Sequence, residues 1–510
     1  MSNLRVGHNT AAIDGGGFAV FTDSTLTLVN ATVDSNTAGD SGGACFVQGS
    51  SRVNMTGGQL LRNTATQLGG AACLFEASQL VLADACLRGN SAAAGGGVAL
   101  MGSTMSGDSV LFEHNSARAG YGGAMHLSDR LGVGSAARLT RSTLSGNSAD
   151  RGLGGDAGCA ALISSNSTTT SYGGGGAISV TGTAAAGTRL MLDAGTRCEN
   201  NTASGVSSES SPAGGGCILA WGSALVTLNL STVSGNVAEC GDGGGLALLE
   251  DSTLQLSSSV VDSNQARSRG GGLFVGPRAS ASGTAAGDTA AVTLTGVNVL
   301  TTNTASSGDG GAFFTHRVVS FAAGEASAVQ QTLVQGNTAP NGRGGGLAVR
   351  DVKLQLEPGH SVDVTGNHAR LGGGVALLGG ASLALFRETC PAACEAASMG
   401  DGRCNPECFN RACLWDGGDC RSRLESAGTD ATRACPRATC GAYAQTAVRA
   451  SAHACESSCL TASCDWSRAA CREPRDAIRQ CPLLDGIAFS AITARQQQSG
   501  GAPVFLVHLS

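Results

Sequence analysis

An asparagine followed two residues later by alanine recurs twelve times between residues 1 and 389, at positions 9, 36, 63, 90, 115, 147, 201, 236, 264, 303, 337 and 367. An apolar residue or cysteine stands three places before each, as in Phe112-Glu113-His114-Asn115. A glycine pair follows each asparagine, from Gly16-Gly17 to Gly373-Gly374. The first intervals are 27, 27, 27 and 25 residues, and later ones stretch to between 28 and 54. Units this short cannot bury a core alone and must stack on their neighbours, so the repeat demands a solenoid.

Helical solenoids need 3.6-residue apolar spacing and stretches without glycine. Here short apolar runs alternate, as in Phe18-Ala19-Val20 and Leu246-Ala247-Leu248, which is strand periodicity. The expected fold is all-β: a right-handed parallel β-helix of about twelve coils, roughly 55–60 Å long at ~4.8 Å per coil. The first and third residues after the glycines point inward, and the residue between them points outward. The asparagine is expected at a bend, adopting unusual φ/ψ and stacking on the asparagine of the next coil. Gly244 and Gly245 are expected to reject valine because they need positive φ. Alternation also puts Cys45 inward and Cys73 outward, so these two do not pair.

The Phe112-to-Asn115 and Gly175-Gly176-Ala177-Ile178 sequences resemble the paired motifs of the chlamydial polymorphic outer membrane protein repeat, and the resemblance covers residues 1–389. It implies a secreted, adhesive β-helical rod. The composition agrees, with 14% charged and 4% aromatic residues and a net charge of −6. No basic patch with interleaved aromatics marks a nucleic-acid partner, and no apolar run is long enough to span a membrane. Met1 falls inside a repeat coil with no signal sequence before it, so the chain is expected to be incomplete at its N-terminus.

Insertions at 128–140, 150–174, 182–188, 204–213, 276–290 and 317–330 are mostly Ala, Gly, Ser and Thr and read as surface loops. Asn30, Asn54, Asn166, Asn200 and Asn229 head Asn-x-Ser/Thr sequons and are possible glycosylation sites. Some parallel β-helices are polysaccharide lyases or glycoside hydrolases, which project carboxylates and basic groups from an exposed sheet. The outward row after the glycines reads Ala19, Phe46, Cys73, Ala99, His126, Ser179, Ile218, Ala247, Phe274, Phe314, Ala348 and Ala376. It carries a single histidine, expected at the surface, so an enzyme is the alternative and not the leading reading. Asp242 and Asp309 beside glycines are similar to calcium-binding nonapeptide repeats, but the tandem nine-residue spacing is missing.

Near residue 390 the composition switches, with 13 cysteines in residues 390–481 against 7 before. That density means a disulfide-stapled module and an oxidising compartment. Cys390, Cys394, Cys404, Cys408 and Cys413, ending in Trp415-Asp416-Gly417-Gly418-Asp419-Cys420, resemble a Lin-12/Notch repeat. The resemblance implies Cys390–Cys413, Cys394–Cys408 and Cys404–Cys420 bridges. It also implies one structural Ca²⁺ held by Asp401, Asn405, Asp416 and Asp419, short oxygen donors that suit that ion. Residues 421–481 look like a degenerate copy in which Ala452, Glu456, Ser467 and Ala470 replace those ligands. Residues 482–510 remain an unassigned tail. The pairing of Cys45, Cys73, Cys86, Cys159, Cys198, Cys217, Cys240 and Cys481 is left open by the sequence, with Cys45–Cys73 alone disfavoured. The expected protein is extracellular or at the cell surface, non-enzymatic, and binds a protein or glycan ligand.

Overall fold

The computed structural model describes residues 4–150, 174–204, 214–277, 291–322, 330–357 and 360–385, with the short strand Leu506–Val507. Among these residues there is no helix. Three parallel sheets run along a β-helix. Sheet A has 22 strands and takes two stretches of each coil, fused in Thr25–Asp34 and Arg52–Leu61. Sheet B has 12 short strands, one directly behind each template asparagine, so the coils number twelve. Sheet C has 13, because Leu506–Val507 adds antiparallel to the strand Val375–Leu378 of the last coil.

The coils stack without stagger. Phe18, Cys45, Ala72, Val98, Met125 and Ile178 are successive partners in one row of sheet C. Insertions are therefore expelled into loops and the inward rows stay continuous. In the fourth coil Leu80, Leu82, Leu87, Val98 and Leu100 all join the central core. Burying each aliphatic side chain contributes about 1.5–3 kcal/mol.

The asparagines form an unbroken ladder from Asn9 to Asn367. The Oδ1 of Asn63 accepts both the backbone N–H and the Nδ2–H of Asn36, each at 3.0 Å. Its Nδ2 donates to the carbonyl of Val33 at 3.0 Å and to Asn90 Oδ1 at 3.1 Å. A carboxamide has the acceptors and donors for all four bonds, whereas aspartate cannot donate and serine cannot reach both ways. The left-handed residue is not the asparagine, as the sequence suggested, but its predecessor. His8, Ser35, Arg62, His114, Asn200, Ser263 and Thr302 have φ between 49° and 59°, and glycine fills the other five places.

The glycine motif divides its work in a way the sequence did not show. Gly243 has φ 67°, whereas Gly244 and Gly245 have no positive φ. Gly244 is required instead by contact, since a Cβ there would lie 2.3 Å from the Gly271 carbonyl of the next coil.

The register opposes Cys45 to Ala72 and Cys73 to Phe46, and neither cysteine is bridged. Burial pushes the Cys45 thiol up to about 12 and raises Cys73 as well. Cys86 is only half-buried. Iodoacetamide at mildly alkaline pH should therefore modify Cys86 in the native protein and reach Cys45 and Cys73 only after unfolding. Peptide mapping reads this directly. A Cys45–Cys73 cross-linked peptide, or Cys73 reacting as fast as Cys86, would contradict the register.

Candidate functional site

From the second coil on, the outer row of sheet C, where a catalytic platform would stand, is buried except for the partly covered His126, while Ala19 in the first coil is exposed. Phe46, Cys73, Phe75 and Ala99 form one buried cluster on this side of the sheet. Leu219, Ala247, Phe274, Phe314, Ala348 and Ala376 belong to another. One residue of the expected row is corrected. Ile218 pairs with Ile178 and Leu246 and lies in the core, and Leu219 takes the outward place. The reason is that Cys217 fills the small-residue place held by Ala177 and Gly245 in the neighbouring coils.

Arginines cap this side. The Asp242 carboxylate, fully enclosed, accepts the backbone N–H, Nε and Nη2 of Arg269 at 2.9, 3.0 and 2.9 Å. Arg269 then lies 4.8 Å above the Phe274 ring and 5.2 Å above that of Phe314. Asp309 Oδ1 accepts the Arg343 N–H at 2.8 Å, and Asp14 Oδ1 accepts that of Ser41 at 3.0 Å. These aspartates thus hold the backbone of the following coil. Among the described residues no group of three His, Cys, Asp or Glu is placed to hold a metal ion.

His126 is partly covered, not free at the surface as expected. Its Nδ1 is enclosed without a hydrogen-bond partner, as is the Oγ of Ser179, its neighbour in the next coil. Tyr121 packs on the ring with centroids 5.9 Å apart. Burial lowers the imidazole to about 4. Because the folded chain binds this proton less readily than the unfolded one, stability is full above about pH 6.5 and falls as pH drops toward 4. At about 1.4 kcal/mol per pKa unit the loss reaches about 3 kcal/mol. Thermal melts at pH 7.5 and 4.5 should show a smaller acid-induced drop for His126→Phe than for the native chain. Equal drops would remove His126 from the acid response.

Sheet A carries the exposed chemistry. In the first seven coils its outer face is laced with ion pairs: Arg62 to Asp34, Arg88 to Glu113, Arg141 to Asp108, Arg138 to Asp193 at 2.8 Å, and Arg197 to Glu199 at 3.1 Å. From the seventh coil to the tenth the central strip begins with Met191 and the Arg138-paired Asp193 and continues in neutral polar residues. Met191, Asp193, Thr227, Asn229, Gln255, Ser257, Thr293 and Thr295 line a groove of about 400 Å³ there. Burial alone would raise the Asp193 carboxyl. Hydrogen bonds from Arg138, Asn229 and the Ala194 N–H outweigh it and hold the group below the usual range. Four sequons lie on sheet A or its turns, with Asn30 and Asn200 exposed and Asn54 and Asn229 partly covered. Asn229 Nδ2 donates to Asp193 Oδ1 at 2.8 Å.

Sequence reasoning did not pair Cys198 with Cys217, which form a disulfide inside the seventh coil. The signal was available, since Cys198 holds the apolar place before Asn201 and Cys217 the small place after the glycines, both inward. Cys240 is disulfide-bonded as well. Asn166, Cys159, the six cysteines Cys390, Cys394, Cys404, Cys408, Cys413 and Cys420, and Asp401, Asn405, Asp416 and Asp419 lie outside the described residues.

Residues 387–421 match a family model described as Notch, LNR domain. That is the cysteine module read from the sequence. An LNR domain suggests an extracellular, Notch-like module. Neither the curated proteins nor the solved structures compared with the chain give a match. No helix of the described residues is long and apolar enough to cross a membrane.

Proposed function

We propose that this chain is a non-enzymatic, secreted or cell-surface binding rod, adhesive in function, whose ligand is an extracellular protein or a glycan. The observation that carries the reading is the LNR match at residues 387–421 in one chain with a long β-helix. The repeat motifs resemble those of the polymorphic outer membrane protein type, which supports an adhesive rod, and the Cys198–Cys217 bridge suits an oxidising compartment. Asn30, Asn54 and Asn200 are the glycan acceptors of the described rod, whereas the Nδ2 of the Asn229 sequon is engaged by Asp193. Screening the full chain on glycan and matrix-protein arrays, beside a reducing-sugar release assay on polysaccharides, tests the proposal. Binding without turnover supports it, and turnover would replace it with a lyase or hydrolase.

The LNR module binds one structural Ca²⁺ through Asp401, Asn405, Asp416 and Asp419. Three carboxylates without the ion would repel one another, so calcium couples to folding and bridge formation. Titration calorimetry on the full chain should find one site in this region, lost in Asp416→Ala, and no second site in residues 421–481. Two sites, or undiminished binding by the variant, would sink the assignment.

A further inference from the structure

The groove on sheet A has a composition that selects its ligand. It crosses four coils, each contributing two adjacent outward side chains: Met191 and Asp193, Thr227 and Asn229, Gln255 and Ser257, Thr293 and Thr295. At ~4.8 Å per coil its floor is roughly 14 Å long. Asp193 is the floor's one charge, and Arg138 on the preceding coil neutralises it and closes that end. At the other end Ser320, next in the row after Thr293, is buried and donates to Glu357 Oε1 at 3.0 Å. Thr227 Oγ1 and Gln255 Oε1 touch weakly at 3.4 Å. The hydroxyls of Ser257, Thr293 and Thr295 have no protein partner among the described residues. Beside the groove, the residue after Asn229, Leu230, is 57% exposed, and Val297, two past Thr295, is 41% exposed.

Three ligand classes can be weighed on these facts. A peptide strand adds to a sheet edge, and here each strand of the floor is hydrogen-bonded on both sides within sheet A, so no edge is offered. A folded protein partner anchors on aromatic residues and arginine, and the groove has neither in its floor. An acidic polymer needs a run of unpaired cations in the floor; Arg138 is spent on Asp193, and Arg189, two residues before Met191 on the same strand, is a single cation outside the lining. What remains is a ligand that presents hydroxyls to a row of hydroxyls and amides, with apolar C–H faces toward Met191, Leu230 and Val297.

We infer that the groove between coils seven and ten binds a neutral oligosaccharide lying along the rod axis. The inference rests on the reading of the rod as a ligand-binding protein and narrows its ligand to one class and one face. Asn229 stands in the floor and also heads a sequon, so a glycan attached there fills the groove and excludes other sugars. Binding is therefore measured on full chain shown by intact mass to be unmodified at Asn229.

The probes are neutral gluco-, manno- and N-acetylglucosamine oligosaccharides, with uronic-acid oligosaccharides as the charged comparison. They are titrated into the native chain, Thr227→Arg in the groove, and Thr104→Arg on the same sheet two coils before it. Both substituted side chains face outward, and unchanged melting temperatures verify folding. The native chain and Thr104→Arg should bind a neutral probe and not the uronates, while Thr227→Arg binds at least tenfold more weakly. Equal binding by all three proteins would overturn the groove while leaving a glycan-binding rod. Preference for uronates would overturn the ligand class. Capture of a matrix protein with no sugar bound would overturn the inference and leave the adhesive reading in place.

Discussion

Asn236→Ala is expected to lower the stability of the rod by about 3–6 kcal/mol, far more than its size suggests. The Asn236 Oδ1 accepts the backbone N–H of Asn201 at 3.0 Å and its Nδ2–H at 2.9 Å. The Asn236 Nδ2 donates to the carbonyls of Cys198 and Ser234 and to Asn264 Oδ1. Alanine removes all of these in a fully buried place where water cannot substitute. Each orphaned buried group costs about 1–3 kcal/mol, and at least the Asn201 amide and the Cys198 carbonyl are orphaned. Because a solenoid is held only by neighbour contacts, the damage is local along the rod. Hydrogen exchange should quicken at Asn201 and in the adjacent coils before it quickens at the ends. Asn54→Ala is the control, since Asn54 is bonded at the surface to Arg52 and its loss should stay within about 0.5 kcal/mol. Equal urea midpoints for Asn236→Ala and Asn54→Ala would remove the ladder from the account of stability.

Gly244→Ala should cost a further-reaching 3–5 kcal/mol, on the order of the largest single-substitution effects. A Cβ at Gly244 would sit 2.3 Å from the Gly271 carbonyl oxygen and 2.4 Å from the Gln265 carbonyl carbon, both backbone atoms of the next coil. No rotamer relieves such a contact, so the ninth coil must move away from the eighth. Gly132→Ala is the comparison. It has φ 78° but nothing within 4 Å of its Cβ, so it isolates backbone strain from contact. If strain were the main cause, the two variants would lose similar stability. The contact argument expects Gly244→Ala to fall by roughly 3–8 °C in melting temperature, at about 1–1.5 °C per kcal/mol for a rod of this length, and Gly132→Ala by much less.

The β-helix and its coil count were legible because stacking requires the same residue on every rung. The intervals between template asparagines reappear as the sequence separations of the ladder hydrogen bonds, including the gap of 54 between Asn147 and Asn201. The LNR module was legible through its cysteine spacing. The groove was not, since Thr227, Gln255 and Thr293 are ordinary outward strand residues until the coils align them. The Ile218 slip has the same origin, because a run of Cys217, Ile218 and Leu219 has no local mark that says which residue faces the core.

By itself the sequence determined which residues repeat, and so the solenoid, its ladder and the inward rows. Alternation assigns each strand residue to one face of its sheet, which builds the core wherever the glycines fix the register. What covers the other face depends on segments from other coils, which alternation does not describe. Tertiary structure alone therefore decided that Phe274 and Phe314 are shut beneath Arg269 and that the Nδ1 of His126 is enclosed. It likewise decided that the polar strip from Met191 to Thr295 stays open to solvent.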